Sequence, residues 1–192
     1  MRFIRNLLAL IGLLTVVALG VVATKGKDVL TGFDAGAPQV YMEMAEQLLA
    51  SKNAAEATVW KVKVAEGLSA DEVEETMKFV ANEHNISNVG ELPLYKDVEA
   101  KSGKPYRFVK IYMFCNSMTA AQMLDYSDAF SAYLPCRVSL VEDKTGQLWI
   151  YSLNMDMMIH GGAPLPPALK EEAIRVKETI LAIMNRGAEG DF

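Results

Sequence analysis

Alternating apolar and polar residues along the chain predict a β-sheet with one buried face. Residues 58–64 place Trp60, Val62 and Val64 on one side of a strand and two lysines on the other. Residues 106–114 alternate in the same way. Such alternation is typical of antiparallel strands that pack on a core through one face and meet water through the other.

The clearest hairpin follows, around the turn sequence Asp-Lys-Thr-Gly at 143–146. Its last residue is a glycine, which can take the positive φ that tight turns need. Pairing Glu142 with Gln147 across the turn places Cys136 opposite Leu153. We expect this register to be well specified, because a slip of one residue would exchange the two faces.

Apolar residues at helical spacing predict three long helices. One covers residues 38–51, and a second begins at a capping box formed by Ser69 and Glu72. The third covers residues 167–187, from a proline in the first turn to a glycine at the end.

Residues 86–98 are predicted to form a further strand region, interrupted by Gly90 and Pro93, with a turn at 100–104. Proline disfavours a central position in a sheet. A short helix that begins near Ser117 or Thr119 is predicted between the third strand and the hairpin.

The order of these elements predicts an α+β domain, with an antiparallel sheet of four to five strands and helices on one face. The predicted organisation has four parts. They are an N-terminal transmembrane anchor (1–24), a linker (25–37), the α+β domain (38–187) and a free tail (188–192).

The N-terminus has the composition of a membrane segment. Arg2 and Arg5 precede residues 7–23, which are uncharged and mostly aliphatic, and a span needs about 17–25 such residues. We expect residues 3–23 to cross a bacterial inner membrane once, with the N-terminus cytoplasmic and the domain periplasmic. A signal peptide cleaved after residues 21–23 and a buried helix of a soluble protein are the alternatives.

Charge and motifs exclude several classes of function. The net charge of −5 and the absence of a basic patch with aromatic residues argue against a nucleic-acid partner. The sequence has no glycine-rich phosphate loop, serine elbow, paired-histidine motif or Cys-x-x-Cys. An enzymatic activity is therefore not expected.

Several short motifs resemble one protein family. They are Cys-Asn-Ser at 115–117, Leu-Pro-Cys-Arg-Val at 134–138, Val-Glu-Asp-Lys-Thr-Gly at 141–146 and Leu-Trp-Ile at 148–150. The family they resemble is domain of unknown function 302, over roughly residues 59–184. Ser117 stands where that family usually has proline, and Asn85 stands where it usually has glycine. The resemblance implies a compact α+β fold similar to the TATA-binding-protein arrangement, often dimeric, and supplies no catalytic residues.

The two cysteines are predicted to meet at one edge of the sheet. Cys115 ends the third strand and Cys136 begins the next, and sequential strands usually neighbour one another. Outside the cytoplasm disulfides persist, so a Cys115–Cys136 bond is expected. It would close a loop of about 20 residues and contribute on the order of 3 kcal/mol. Two separate buried thiols are the alternative.

The same edge also carries candidate metal ligands. The candidates are Cys115, Cys136, Met155, Met157, Met158 and His160, with Met113 or Met118 nearby. They offer thiolate, thioether and imidazole groups, which Cu(I) prefers. A haem site would use His160 with a methionine. Against both, the spacing from Met155 to His160 matches no established motif, and methionine commonly fills gaps in cores.

Two hypotheses for function follow. The first is a non-enzymatic, membrane-tethered periplasmic domain that docks on a protein partner, as an accessory subunit of a larger membrane complex. The second is a redox or soft-metal domain, with copper or haem bound at the cysteine–methionine edge. The sequence leaves a homodimer open as a further partner.

Overall fold

The computed structural model describes the backbone of residues 2–192, and all side chains within it except those of residues 3, 23–25 and 27–30. The strands are β1 (Val59–Lys63), β2 (Ser87–Leu92), β3 (Val109–Cys115), β4 (Cys136–Glu142) and β5 (Leu148–Leu153). The helices are α1 (Arg2–Leu30), α2 (Ala37–Ser51), α3 (Ala54–Ala57), α4 (Ala70–Glu83), α5 (Leu94–Ser102), α6 (Ser117–Tyr126), α7 (Asp156–His160) and α8 (Pro167–Glu189). A 3-10 helix covers Asp128–Ala132.

The five strands form one antiparallel sheet in the order β1-β5-β4-β3-β2. Helices α4 and α8 pack against each other, and α8 contacts β1, β4 and β5. The prediction of an α+β fold with an antiparallel sheet of four to five strands is confirmed, and the sheet has five. β2 is an edge strand, in keeping with the proline that follows it.

The core lies between the sheet and the two long helices. Its fully buried side chains include Tyr112, Phe114, Leu140 and Ile150 from the sheet, Met77 and Val80 from α4, and Ile180, Ile183 and Met184 from α8. The helix stripes are those expected from the 3.6-residue period, and the capping box at the start of α4 is present.

The predicted hairpin register is wrong by one residue. Glu142 lies opposite Leu148, and Val138 lies opposite Ser152. The predicted pairing of Cys136 with Leu153 therefore does not occur. In the observed register Ile150 pairs with Leu140, and both side chains are fully buried in the core.

The reason is the length of the loop. The Asp143 amide donates to the Gln147 carbonyl over 2.8 Å, so residues 144–146 form a three-residue loop. The predicted register would pair Asp143 with Gly146 and leave a loop of only two residues. Gly146 has φ 87°, as the third residue of such loops commonly does. The Asp143 carboxylate also accepts hydrogen bonds from the Thr145 hydroxyl, at 2.6 Å, and the Trp149 indole, at 2.9 Å.

The predicted strand region at 86–98 is wrong beyond residue 92. β2 ends at Leu92, and residues Leu94–Ser102 form α5. Pro93 precedes the first turn, Lys101 pairs with Asp97 one turn earlier, and Gly103 closes the helix with φ 67°. These are ordinary helix signals, and the apolar residues between them are too few to mark the helical period.

The predicted end of α8 and the free tail are also wrong. The helix continues through Gly187 to Glu189, and Gly190 closes it with φ 69°. Ala188 is buried, and the Phe192 ring lies 5.7 Å from the Phe79 ring. Gly187 permits close packing: a Cβ added there would lie 2.6 Å from Cγ of Met77.

The N-terminal helix carries a candidate membrane span. Ile4–Val22 is 19 residues long with a mean hydropathy of 2.1, and none of it is buried in the protein. Among the described residues it is the one helix that is long and apolar enough, a property that signal sequences share. α1 continues to Leu30, so the first part of the predicted linker is helical.

A buried aspartate, Asp34, connects the start of α2 to α7 and α8. Asp34 is 4 % exposed, and its carboxylate accepts hydrogen bonds from the Lys170 ammonium and from the Gly36 amide, at 2.9 Å. Its Oδ1 lies 3.0 Å from Nδ1 of His160. The Tyr41 hydroxyl donates to the Gly161 carbonyl over 2.7 Å. The Lys170 bond, followed by the Gly36 amide, holds the pKa of Asp34 well below its usual range.

The close approach of α8 and α4 gives a first prediction. Gly187→Val should lower the free energy of unfolding by about 1–3 kcal/mol, because the side chain overpacks against buried Met77. Denaturant unfolding of the full chain in detergent measures this. Asn185→Val, exposed on the same helix, is the matched control and should change stability by less than about 0.5 kcal/mol. Equal losses in both variants would contradict the packing argument.

The buried carboxylate gives a second prediction. Asp34→Asn should cost about 2 kcal/mol near neutral pH, because charge-assisted hydrogen bonds are lost. The folded-state pKa is depressed, so the stabilisation is present above pH about 4 and is lost as the pH falls below it. Unfolding at pH 7 and pH 3 should therefore show a deficit that shrinks at the lower pH. Asp97→Asn removes the exposed pair with Lys101 and should be near neutral at both pH values.

Candidate functional site

A cavity lies where β3 ends and β4 begins, beneath α6 and α8. The volume within which the centre of a water molecule can lie is about 30 Å³. Its lining residues are Phe114, Cys115, Asn116, Thr119, Ala120, Met123, Phe130, Leu134, Cys136, Met155, Met158, Ala173 and Val176. One water needs about 10–15 Å³ on this measure, so the space suits one or two waters or a single ion.

The donors in this cavity are mostly sulfur. Cys115, Met123, Cys136, Met155 and Met158 are five of its thirteen lining residues. The Asn116 side chain already accepts hydrogen bonds from the first turn of α6 as its N-cap, and most of the remaining lining is hydrocarbon. The cavity therefore favours a soft, weakly hydrated guest over a hard cation or an anion.

Three of the sulfur side chains also line an adjoining cavity. Cys136, Met155 and Met158 border this second space together with Leu134, Tyr133, Arg137, Ser152 and Leu153. Its volume on the same measure is also about 30 Å³. The three sulfur side chains thus stand between the two spaces.

Both cysteines are partly buried free thiols. Cys136 lies directly opposite Phe114, whereas Cys115 is one position further along β3. Because neighbouring residues of a strand point to opposite faces, the two cysteines are not a facing pair, although both line the cavity. The structure gives the predicted Cys115–Cys136 disulfide no support.

Burial sets the ionisation of both thiols. It raises the pKa of Cys136 to about 11, with a further contribution from Cys115. Burial also raises the pKa of Cys115. Both groups are therefore protonated at neutral pH, which argues against a reactive thiolate of the kind that catalysis needs.

The predicted ligand set divides in the structure. Met155 and Met158 lie with Cys136 at the cavities. His160 does not line either space and instead contacts Asp34. Among the described side chains, no group of three or more His, Cys, Asp or Glu residues could hold a metal ion.

A second cluster of ionisable groups joins α4 to the edge of the sheet. Lys110 donates to both Glu74 oxygens over 2.8 Å and lies 2.7 Å from Glu91. Lys78 also contacts both acids, and the Tyr112 hydroxyl donates to Glu74 over 2.7 Å. Burial alone would raise the pKa of Glu91, but hydrogen bonds from Lys110 and Lys78 lower it to about 2. Lysine partners lower the pKa of both acids, which keeps them ionised, so the cluster is better suited to linking α4 with the edge of the sheet than to proton transfer.

Sequence reasoning missed some of the residues that form these sites. Met123 joins the cavity because α6 turns it towards the sheet, and its place four residues after Thr119, which also lines the cavity, is the signal that could have found it. Asp34 and Lys170 are 136 residues apart. No local pattern links them.

Comparison with known proteins agrees with this fold. The model of the family described as domain of unknown function DUF302 matches residues 60–187. The crystal structure of an uncharacterized conserved DUF302 protein from Bacillus stearothermophilus is similar in fold, with a TM-score of 0.55 at 20% identity. The similarity covers 67% of this chain and 97% of that one. No curated protein is similar enough in sequence to count as a match. The chain belongs to the DUF302 family.

Proposed function

We propose that this protein is a non-enzymatic, membrane-tethered domain that docks on a protein partner through α2, as an accessory subunit of a larger membrane complex. The observation that carries the proposal is an exposed apolar strip on α2, the helix that follows the candidate span in the chain. The strip comprises Tyr41, Met42, Leu48 and Leu49, which are 42, 62, 42 and 78 % exposed. We call these four residues the α2 strip.

The domain covers only part of the apolar arc of α2. Ala37 is buried, Val40 and Met44 are half-buried, and α2 packs against α7. The α2 strip lies next to this packed side, so the apolar arc is wider than the domain covers. A surface helix normally needs only one such face, and the uncovered part is available to a partner.

The strip is held in a defined orientation. Asp34 precedes α2 and is bound by Lys170, while Tyr41 itself donates to the Gly161 carbonyl. A helix fixed in this way loses little conformational entropy on binding, and pre-organisation of this kind favours affinity.

The charges on α2 favour a protein over a lipid surface. Its remaining side chains include Glu43 and Glu46, and no Lys or Arg occurs between Ala37 and Ser51. Helices that lie in a membrane interface are typically rich in Lys and Arg on the polar face. The expected partner therefore offers an apolar groove with a basic rim, the usual recognition of an amphipathic helix.

The proposed location follows from the N-terminal charges. Arg2 and Arg5 precede the candidate span, and the positive-inside rule keeps such residues cytoplasmic. In this proposal Ile4–Val22 stays in the bacterial inner membrane and the domain lies in the periplasm. The partner is then a membrane or periplasmic protein near the bilayer surface.

Site-specific photo-crosslinking in the native membrane tests the docking surface. A benzoylphenylalanine at position 49 of the full chain should give one discrete adduct with another protein. The same group at position 89 is the matched control, because Val89 is 54 % exposed on β2, the edge opposite β1. Position 89 should give no adduct.

A double variant then tests the chemistry of the contact. Met42→Glu with Leu48→Glu should reduce the position-49 adduct by about tenfold or more, because two charges would be buried against an apolar groove. Val89→Glu with Leu92→Glu should leave it unchanged. An adduct of two copies of this chain, adducts with lipid alone, or equal yields at positions 49 and 89 would each contradict the proposal.

A further inference from the structure

Three sulfur side chains stand together between the two cavities at the start of β4. Cys136 comes from the sheet, and Met155 and Met158 come from the chain entering α7 and from α7 itself. We propose that Cys136, Met155 and Met158 bind a single Cu(I) ion, with one thiolate and two thioethers as ligands. This site is independent of the docking surface on α2.

The ligand chemistry selects this ion. Thiolate and thioether are soft ligands, and Cu(I) is the biological cation that accepts both. Mg²⁺ and Ca²⁺ require several oxygen ligands, which these cavities do not offer. Zn²⁺ generally takes four ligands from Cys, His and carboxylates, and the described residues hold no group of three such side chains.

Charge balance also selects a monovalent ion. One thiolate with Cu(I) is neutral overall, and a neutral centre avoids the large cost of an uncompensated charge in apolar surroundings. A divalent ion with the same three ligands would leave one positive charge among Phe114, Leu134 and Val176. The uncharged thioethers complete the coordination without changing this balance.

The space favours a bare ion over haem. Each cavity has a volume of only about 30 Å³. Pockets for larger ligands have volumes of roughly 300–1,000 Å³. His160, the imidazole that a haem site would use, contacts Asp34 instead. The site therefore consists of sulfur alone.

Loading exchanges one proton for one ion. The Cys136 thiol releases its proton to solvent as the Cu–S bond forms, and the ion keeps its oxidation state. Copper arrives as a Cu(I) complex of a small chelator, which is released intact. Cys115 lines one cavity only and belongs to the opposite face of the strand, so it is not a ligand in this proposal.

The test is competition for Cu(I). The full chain in mild detergent, reduced and free of oxygen, is titrated with the Cu(I) complex of bicinchoninate. We expect the wild-type chain to take one equivalent, and X-ray absorption to show sulfur scatterers only. Cys136→Ser and Met158→Leu each remove a direct ligand, so each should weaken binding by at least the roughly 10–100-fold that loss of an outer-shell partner costs. Met158→Leu nearly conserves side-chain volume, so the fold is retained if the cysteine variant is unstable.

Two variants serve as matched controls. Cys115→Ser removes the other thiol and His160→Gln removes the nearby imidazole, and both should keep wild-type affinity within about threefold. Circular dichroism and thermal unfolding of each copper-free variant confirm that it is folded. No copper retained by the wild-type chain, retention equal in folded Met158→Leu, a loss in folded His160→Gln, or nitrogen scatterers in the absorption spectrum would overturn the proposal.

Discussion

Helices α8 and α4 bury one face of the sheet, and this contact forms the core of the domain. The two helices approach closely because Gly187 leaves room for Met77, and together they cover the apolar side of β3, β4 and β5. A sheet with one wet face can be stable only if its other face is fully covered. Cys115 and Cys136 lie at the ends of β3 and β4 that border the cavity beneath α6 and α8.

The candidate copper site is a product of strand order. β3 and β4 are neighbours, with Phe114 opposite Cys136, and the residues after β5 return to the same end of the sheet. Met155 and Met158 therefore reach Cys136 although they are far from it along the chain. The proposed docking surface has a different origin, because the start of α2 is held by the buried Asp34 carboxylate rather than by the main core.

Elements with a strong local pattern were predictable. The alternation in β1 and β3, the capping box of α4 and the proline at the start of α8 each correspond to an observed element. The hairpin register and α5 were not predictable in the same way. The sequence Asp-Lys-Thr-Gly suits loops of two or three residues. The three-residue loop is the one in which the Asp143 carboxylate accepts hydrogen bonds from Thr145 and Trp149. α5 is half-exposed, so its helical signals had no apolar stripe to support them.

The fold class, the apolar N-terminal helix and the strand ends that carry both cysteines could be read from the chain alone, because strand alternation and helix period are local properties. Strand adjacency, which is not local, brings Met155 and Met158 to Cys136. The folded chain also pairs His160 with Asp34 instead of the sulfur residues, and places Cys115 and Cys136 on different faces of the sheet. Those outcomes depend on a contact across 126 residues and on a one-residue offset between strands, neither of which has a local signature.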